Sequence, residues 1–142
     1  MQEVFLDAGY LIALEFGRDQ NHDAALTHWR AHVGTRRTGR TSQPQLVTTT
    51  YVFDEVVTYL NARGHHGRAV QAGEQLLRSP SVELVHVEEN LFRRGFDYLG
   101  RRQDKRYSLT DCISFVVMAE RGLTTAFTFD QHFAQAGFVK EP

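Results

Sequence analysis

Short apolar runs of strand length alternate with longer stretches of helical periodicity, and this alternation restricts the fold more than any single motif. Residues 3–6 read as a strand that ends at Asp7. Gly9–Phe16 reads as a short apolar helix and Asn21–Val33 as a second, with Ala25, Trp29 and Val33 four apart on one face. Gly34–Pro44 is polar, basic and turn-rich, which predicts a loop. Leu46–Thr48 reads as a strand, and Thr49 or Thr50 can cap a helix running to about Ala62. Gly64-His65-His66-Gly67 reads as a break, followed by a helix over Arg68–Arg78 that Ser79-Pro80 ends. Val82–Val87 alternates as a strand. Glu88–Arg102 reads as a helix with Leu91, Phe92, Phe96 and Leu99 facing inward. Ser108–Arg121 is the most apolar helix, stopped by Gly122. Thr124–Phe129 reads as a strand, and Gly137–Val139 as a last short one. The pattern predicts an α/β fold: one domain over residues 1–142 with a parallel sheet covered by helices on both sides. In such sheets ligands bind outside the carboxyl ends of the strands.

The bulk properties exclude several classes. A hydrophobic fraction of 42% is ordinary for a globular protein. The apolar run Phe115–Ala119 is far too short for a membrane span, and no basic-then-apolar leader opens the chain. The single Cys112 can form neither an internal disulfide nor a zinc knuckle, so the cytoplasm is the expected compartment. The net charge of −1 points to no partner, but nine of the 16 Lys and Arg residues fall in two stretches. One holds Arg93, Arg94, Arg101, Arg102, Lys105 and Arg106; the other holds Arg36, Arg37 and Arg40. Such clusters attract polyanions in a salt-dependent way, although solvated surface gives the same pattern.

Four carboxylates stand at the ends or edges of apolar elements. Asp7 follows Val4-Phe5-Leu6, and Asp130 ends Thr125-Ala-Phe-Thr-Phe. Glu55 borders the apolar arc made by Val52, Phe53, Val56 and Leu60, whereas Asp54 points away from it. Asp111 opens the apolar helix in a Ser108-x-x-Asp111 capping pattern. Each has a plain structural reading: Asp7 a turn residue or helix cap, Glu55 a surface acid, Asp111 a cap, Asp130 a turn residue. As a group they are less easily explained as structure. Two carboxylates about 4 Å apart repel by roughly 4 kcal/mol at an effective dielectric of ~20. A cluster relieves that by taking up protons or a cation. Oxygen-only ligands without cysteine select Mg2+ or Mn2+ over zinc, and such an ion suits phosphodiester hydrolysis.

Other chemistries lack their residues. There is no Gly-x-x-x-x-Gly-Lys, no Gly-x-Gly-x-x-Gly and no Gly-x-Ser-x-Gly. Asp7 is followed by Ala8-Gly9, so an aspartyl-phosphate pair is missing. His65-His66 reads as exposed loop, and His132 as a surface histidine beside Asp130.

These segments resemble a known family. Val4-Phe-Leu-Asp7-Ala-Gly-Tyr-Leu-Ile-Ala-Leu14, Thr49-Thr-Tyr-Val-Phe-Asp-Glu55-Val-Val57, Asp104-Lys-Arg-Tyr-Ser-Leu-Thr-Asp111-Cys-Ile-Ser-Phe115 and Thr128-Phe-Asp130-Gln-His-Phe133 are similar, in this order, to the motifs of PIN-domain nucleases. Within them the chain most resembles VapC-type toxins of bacterial toxin–antitoxin pairs. The resemblance implies an α/β/α sandwich with a central parallel sheet and a ribonuclease dependent on Mg2+ or Mn2+. It maps the acidic positions to Asp7, Glu55, Asp111 and Asp130, with Thr128 as the accompanying polar position. It also implies a homodimer silenced by a cognate antitoxin. The apolar helix Gly9–Phe16 is a candidate dimer surface. Asp7, Asp111 and Asp130 are expected to hold the ion, and Glu55 to complete the shell or orient water. The arginines and lysine of 93–106, among them Arg101, Arg102, Lys105 and Arg106, and those of 36–40 are expected to hold RNA. A non-catalytic RNA- or protein-binding module and a nuclease acting on DNA are the competing readings.

Overall fold

A computed structural model describes residues 2–34 and 43–142. The basic cluster Arg36, Arg37 and Arg40 lies outside them. The elements are β1 (Glu3–Leu6), α1 (Ala8–Glu15), α2 (His22–His32), β2 (Gln45–Thr49), α3 (Thr50–Ala62), α4 (His66–Arg78), β3 (Val82–Val85), α5 (Glu89–Gly100), α6 (Leu109–Arg121), β4 (Thr125–Phe127), α7 (Gln131–Gln135) and β5 (Val139–Glu141). The strands form one parallel sheet in the order β3-β2-β1-β4-β5. β1 is central, and the chain order reverses on either side of it. That switch point is where a parallel sheet leaves a crevice beyond its carboxyl ends.

Strand alternation sorts the two faces. Phe5 packs on Phe133 of α7, which meets Phe115 of α6. Leu6 faces the other way, toward Leu11, Leu26 and Val56. Phe127, in register with Leu6, meets Tyr10 of α1 and His28 of α2. The result is a helix–sheet–helix sandwich, with α1 to α4 on one side and α5 to α7 on the other. Among the described residues, no helix is long and apolar enough to cross a membrane.

Several expectations are corrected. α5 turns inward through Leu91 and Gly95, four residues apart, so Phe92 and Phe96 are 42% and 58% exposed. The helical stripe runs i, i+4, and the two phenylalanines lie off it. Gly95 lets α5 approach α6 closely: a Cβ there would overlap the Ile113 side chain, with Ile113 Cα only 3.3 Å away. β3 stops at Val85, and the Val87 N–H turns to donate to Thr50 Oγ1 (3.0 Å). α4 begins at His66, inside the expected break. β4 ends at Phe127, so Asp130 lies three residues beyond the strand and caps α7 instead. The last strand begins at Val139 rather than at Gly137. On α1, Tyr10, Leu11, Ile12 and Ala13 are buried within the protomer, and Leu14 is half-buried.

Candidate active site

The site starts from the register of β1 and β4. Phe5 pairs with Ala126 and Leu6 with Phe127, so the next residues along, Asp7 and Thr128, emerge side by side. The Asp7 N–H donates to Phe127 O (3.1 Å), and Thr128 Oγ1 donates to Asp7 Oδ2 (2.7 Å). Both residues are buried. Asp7 stands at the N-cap position of α1, but its carboxylate makes no capping bond there. Thr128 Oγ1 in turn accepts from the Asp130 N–H (2.9 Å), which binds the chain turn after β4 to the end of β1. Asp130 caps α7 by accepting from the His132 N–H (2.9 Å).

Asp111 arrives from α6. The full capping box is present: Ser108 Oγ accepts from the Asp111 N–H (3.0 Å), and Asp111 Oδ2 accepts from the Ser108 N–H (3.2 Å). The same Oδ2 lies 3.2 Å from His132 Nδ1, which is also 3.4 Å from Asp130 Oδ1. Asp111 is therefore both cap and cluster member. Glu55 comes from α3, whose start is fixed by Thr49 accepting from the Val52 N–H (3.2 Å). The Thr110 hydroxyl hydrogen-bonds the Glu55 side chain, so the first turn of α6 ties Glu55 to the residue next to Asp111. Asp54 points outward and accepts from Thr58 Oγ1.

Asp111 and Asp130 act electrostatically on both Asp7 and Glu55. Burial pushes the Asp7 carboxyl up to about 7; the Thr128 bond opposes this, and Asp111 and Asp130 add to it. Asp111 is raised by burial, against the Ser108 N–H and His132, with Asp130 raising it further. Glu55 is the most open of the four. Partial desolvation raises it, the Thr110 bond lowers it, and Asp111, Asp54 and Asp130 raise it. Carboxyl groups held in this way release free energy when a cation replaces their protons.

His132 is a correction. It is not a detached surface histidine: its ring sits between Asp111 and Asp130 and stands edge-on to Tyr107, with 5.2 Å between centroids. Asp111, Asp130 and His132 offer ligand atoms that lie within 4.8 Å of one another. The carboxylates of this group supply hard oxygen donors, which suit a divalent cation.

The basic residues have unequal fates. Arg101, Lys105 and Arg106 are exposed on the segment joining α5 to Ser108, beside the Asp111 cap. Arg102 lies over the Tyr98 ring, 4.4 Å from its centroid. Arg94, expected with this group, pairs instead with Glu120 (2.7 Å) and bonds Asn90 on its own helix.

A parallel α/β domain with buried carboxylates gathered at its switch point defines a class of acidic, cation-binding domains. This chain belongs to one such family, the PIN domain family, which it matches over residues 4–139. It is 31% identical over 137 residues to the 23S rRNA-specific endonuclease VapC20 of Mycobacterium tuberculosis, covering 96% of either chain. The crystal structure of that protein, described as a sarcin-ricin loop cleaving toxin, superposes with a TM-score of 0.83 over 96% of this chain and 97% of that one. A toxin–antitoxin complex from Klebsiella pneumoniae, at 17% identity and a TM-score of 0.56, shares the fold over 91% of this chain and 88% of that one.

Proposed function

We propose that this protein is a divalent-metal-dependent endoribonuclease and the toxin of a toxin–antitoxin pair, with large-subunit ribosomal RNA as its substrate. The observation that carries this reading is the meeting of Asp7, Glu55, Asp111 and Asp130 at the carboxyl edge of the sheet, in a chain 31% identical to a 23S rRNA-specific endonuclease. Asp7, Asp111 and Asp130 hold the ion, Mg2+ or Mn2+. A bound ion of this kind polarises the scissile phosphate and lowers the pKa of the attacking water. Glu55, the most solvent-open acid, orients that water. Thr128 fixes the Asp7 carboxylate through its 2.7 Å bond. His132 holds the Asp111 and Asp130 carboxylates in mutual register from one ring nitrogen. Arg101, Arg102, Lys105 and Arg106 grip phosphates along the approach; such contacts fix position rather than sequence.

The partner assignments follow the same reading. A cognate antitoxin covers the acidic groove, the working form is a homodimer, and the ribosomal substrate puts the activity in the cytoplasm. The test is cleavage of ribosomal RNA, of an unrelated RNA and of matched DNA, with Mg2+, Mn2+ or EDTA. We expect metal-dependent cutting of ribosomal RNA, lost in Asp111→Asn with the fold intact. Cutting of DNA alone would overturn the substrate assignment. Tight RNA binding without cutting in Mn2+ would overturn the enzyme and favour a binding module.

A further inference from the structure

On the opposite helix layer from α6, α2 presents His28 and His32 four residues apart, their rings stacked with centroids 4.1 Å apart and planes at 19°. Both face Glu141 of β5. His28 Nε2 lies 2.9 Å from Glu141 Oε1, and His32 Nε2 lies 3.8 Å from the same atom. Nitrogen and oxygen ligands about 2.0–2.1 Å from a tetrahedral zinc stand about 3.3 Å from one another, between these two values. All three ligand atoms lie within 4.8 Å of one another.

The second nitrogen of each imidazole is held by a partner. His32 Nδ1 is 3.0 Å from His28 O. A carbonyl only accepts, so Nδ1 carries the hydrogen, and in the neutral ring Nε2 is the basic nitrogen turned to Glu141. His28 Nδ1 is 2.9 Å from the Tyr10 hydroxyl, which can donate to it while Nε2–H donates to Glu141; an ion bound at Nε2 displaces that proton. Fixing the second nitrogen of each imidazole is the arrangement that metal-binding histidines require. His28 is buried, while the His32 and Glu141 side chains are 44% and 32% exposed. A cavity of about 110 Å³, lined by Gln2, Val4, His32, Phe127 and Glu141 among others, opens beside them and can hold a water as fourth ligand. A hydrogen-bonded Tyr10–His28–Glu141 chain accounts for His28 without a metal. It does not account for His32 Nε2 being turned to the same carboxylate oxygen.

We infer that His28, His32 and Glu141 form a metal site, separate from the acidic cluster, for a borderline transition-metal ion such as Zn2+. Two imidazoles and one carboxylate with an open position suit Zn2+ or Co2+ rather than Mg2+. The ion would clip α2 to the edge strand of the sheet. Glu141 O already accepts from the Thr128 N–H (2.8 Å), so the clip braces the strand pair that ends at Thr128.

The experiment titrates the untagged full chain with Co2+, then Zn2+, in millimolar Mg2+. It reads the visible absorption of bound Co2+, its displacement by Zn2+, and the Zn2+-induced rise in Tm. We expect one tight equivalent in the wild type and in Asp111→Asn, and affinity at least ~10-fold weaker, with no Tm rise, in His32→Gln and Glu141→Gln. His32 and Glu141 are partly exposed, so these variants test the site without opening the core. Binding unchanged in both variants would overturn the inference. So would binding lost in Asp111→Asn, which would assign the ion to the acidic cluster with His132. Absence of Zn2+ uptake by the folded wild type would overturn it too.

Discussion

Replacing Asp7 with Asn should stabilise the metal-free protein while disabling it. The Asp7 carboxyl is held at about 7 against an ordinary 3.8, with burial the largest cause. Between those two values the folded state keeps a proton that the unfolded chain has released. The folded state binds more protons there, so stability falls as pH rises through that window and levels off above about 7. The gap corresponds to roughly 4 kcal/mol at ~1.4 kcal/mol per pH unit. Asn removes this ionisation cost, and its carbonyl can still accept from Thr128 Oγ1. Its new amide donors find no partner designed for them, which costs about 1–2 kcal/mol. The expected net gain at pH 8 in EDTA is about 2 kcal/mol, shrinking to nothing or reversing near pH 4, where folded Asp7 is protonated and the unfolded chain is close to its own midpoint, so little of the ionisation cost remains.

Urea unfolding of wild type and Asp7→Asn at pH 4.5, 6 and 8 in EDTA reads this directly. Saturating Mg2+ should then reverse the ranking at pH 8, because an ion that binds only the folded wild type stabilises it by mass action. An Asn variant less stable than wild type at pH 8 in EDTA would refute the reasoning. A difference independent of pH would do the same.

Three further outcomes are expected. Arg101→Ala, Lys105→Ala and Arg106→Ala, all exposed, should each weaken RNA binding across sequences and reduce the salt slope of log affinity by about 1, read by fluorescence anisotropy between low and moderate salt. Thr128→Val keeps the shape but removes the hydroxyl that serves both Asp7 and Asp130; it should cost about 1–3 kcal/mol in urea unfolding and lower cleavage. Gly95→Ala should lose a net 1–2 kcal/mol, because overpacking against Ile113 by roughly 1–3 kcal/mol outweighs a helix-propensity gain of up to ~1 kcal/mol. Cleavage per folded molecule should stay unchanged in that variant.

Much of the architecture was legible because it rests on local signals. Apolar runs bounded by turn residues gave the strand–helix alternation, and Ser108-x-x-Asp111 announced the cap that the structure contains. The carboxylates stand where buried elements end, and in a parallel sheet those ends gather at one edge. What stayed hidden depended on contacts between distant segments. His132 reads like any exposed histidine until the α7 turn brings its ring between Asp111 and Asp130. Phe92 and Phe96 look like core residues until Gly95 is known to seat α5 on Ile113. Arg94 resembles its basic neighbours, yet Glu120 on α6 claims it. His28 and His32 drew no metal reading from the sequence, because their third member, Glu141, comes from a strand of three residues with no pattern of its own.

The acidic edge and the core are in opposition, and the fold resolves the conflict through a few short hydrogen bonds. Asp7 and Asp111 are as buried as core residues, and burial leads the causes that raise them both. No arginine or lysine forms an ion pair with either of them among the described residues; their protein partners include Thr128, the Ala8 and Ser108 N–H groups and His132. A permanent salt bridge would have stabilised the domain and filled the pocket with an immovable cation. Hydroxyl and N–H donors orient the same carboxylates while leaving their charge uncompensated. Under the proposed reading, the remaining mutual repulsion is the free energy with which the site would recruit an external cation, so the residues that weaken the metal-free fold would be the ones that give the pocket its affinity.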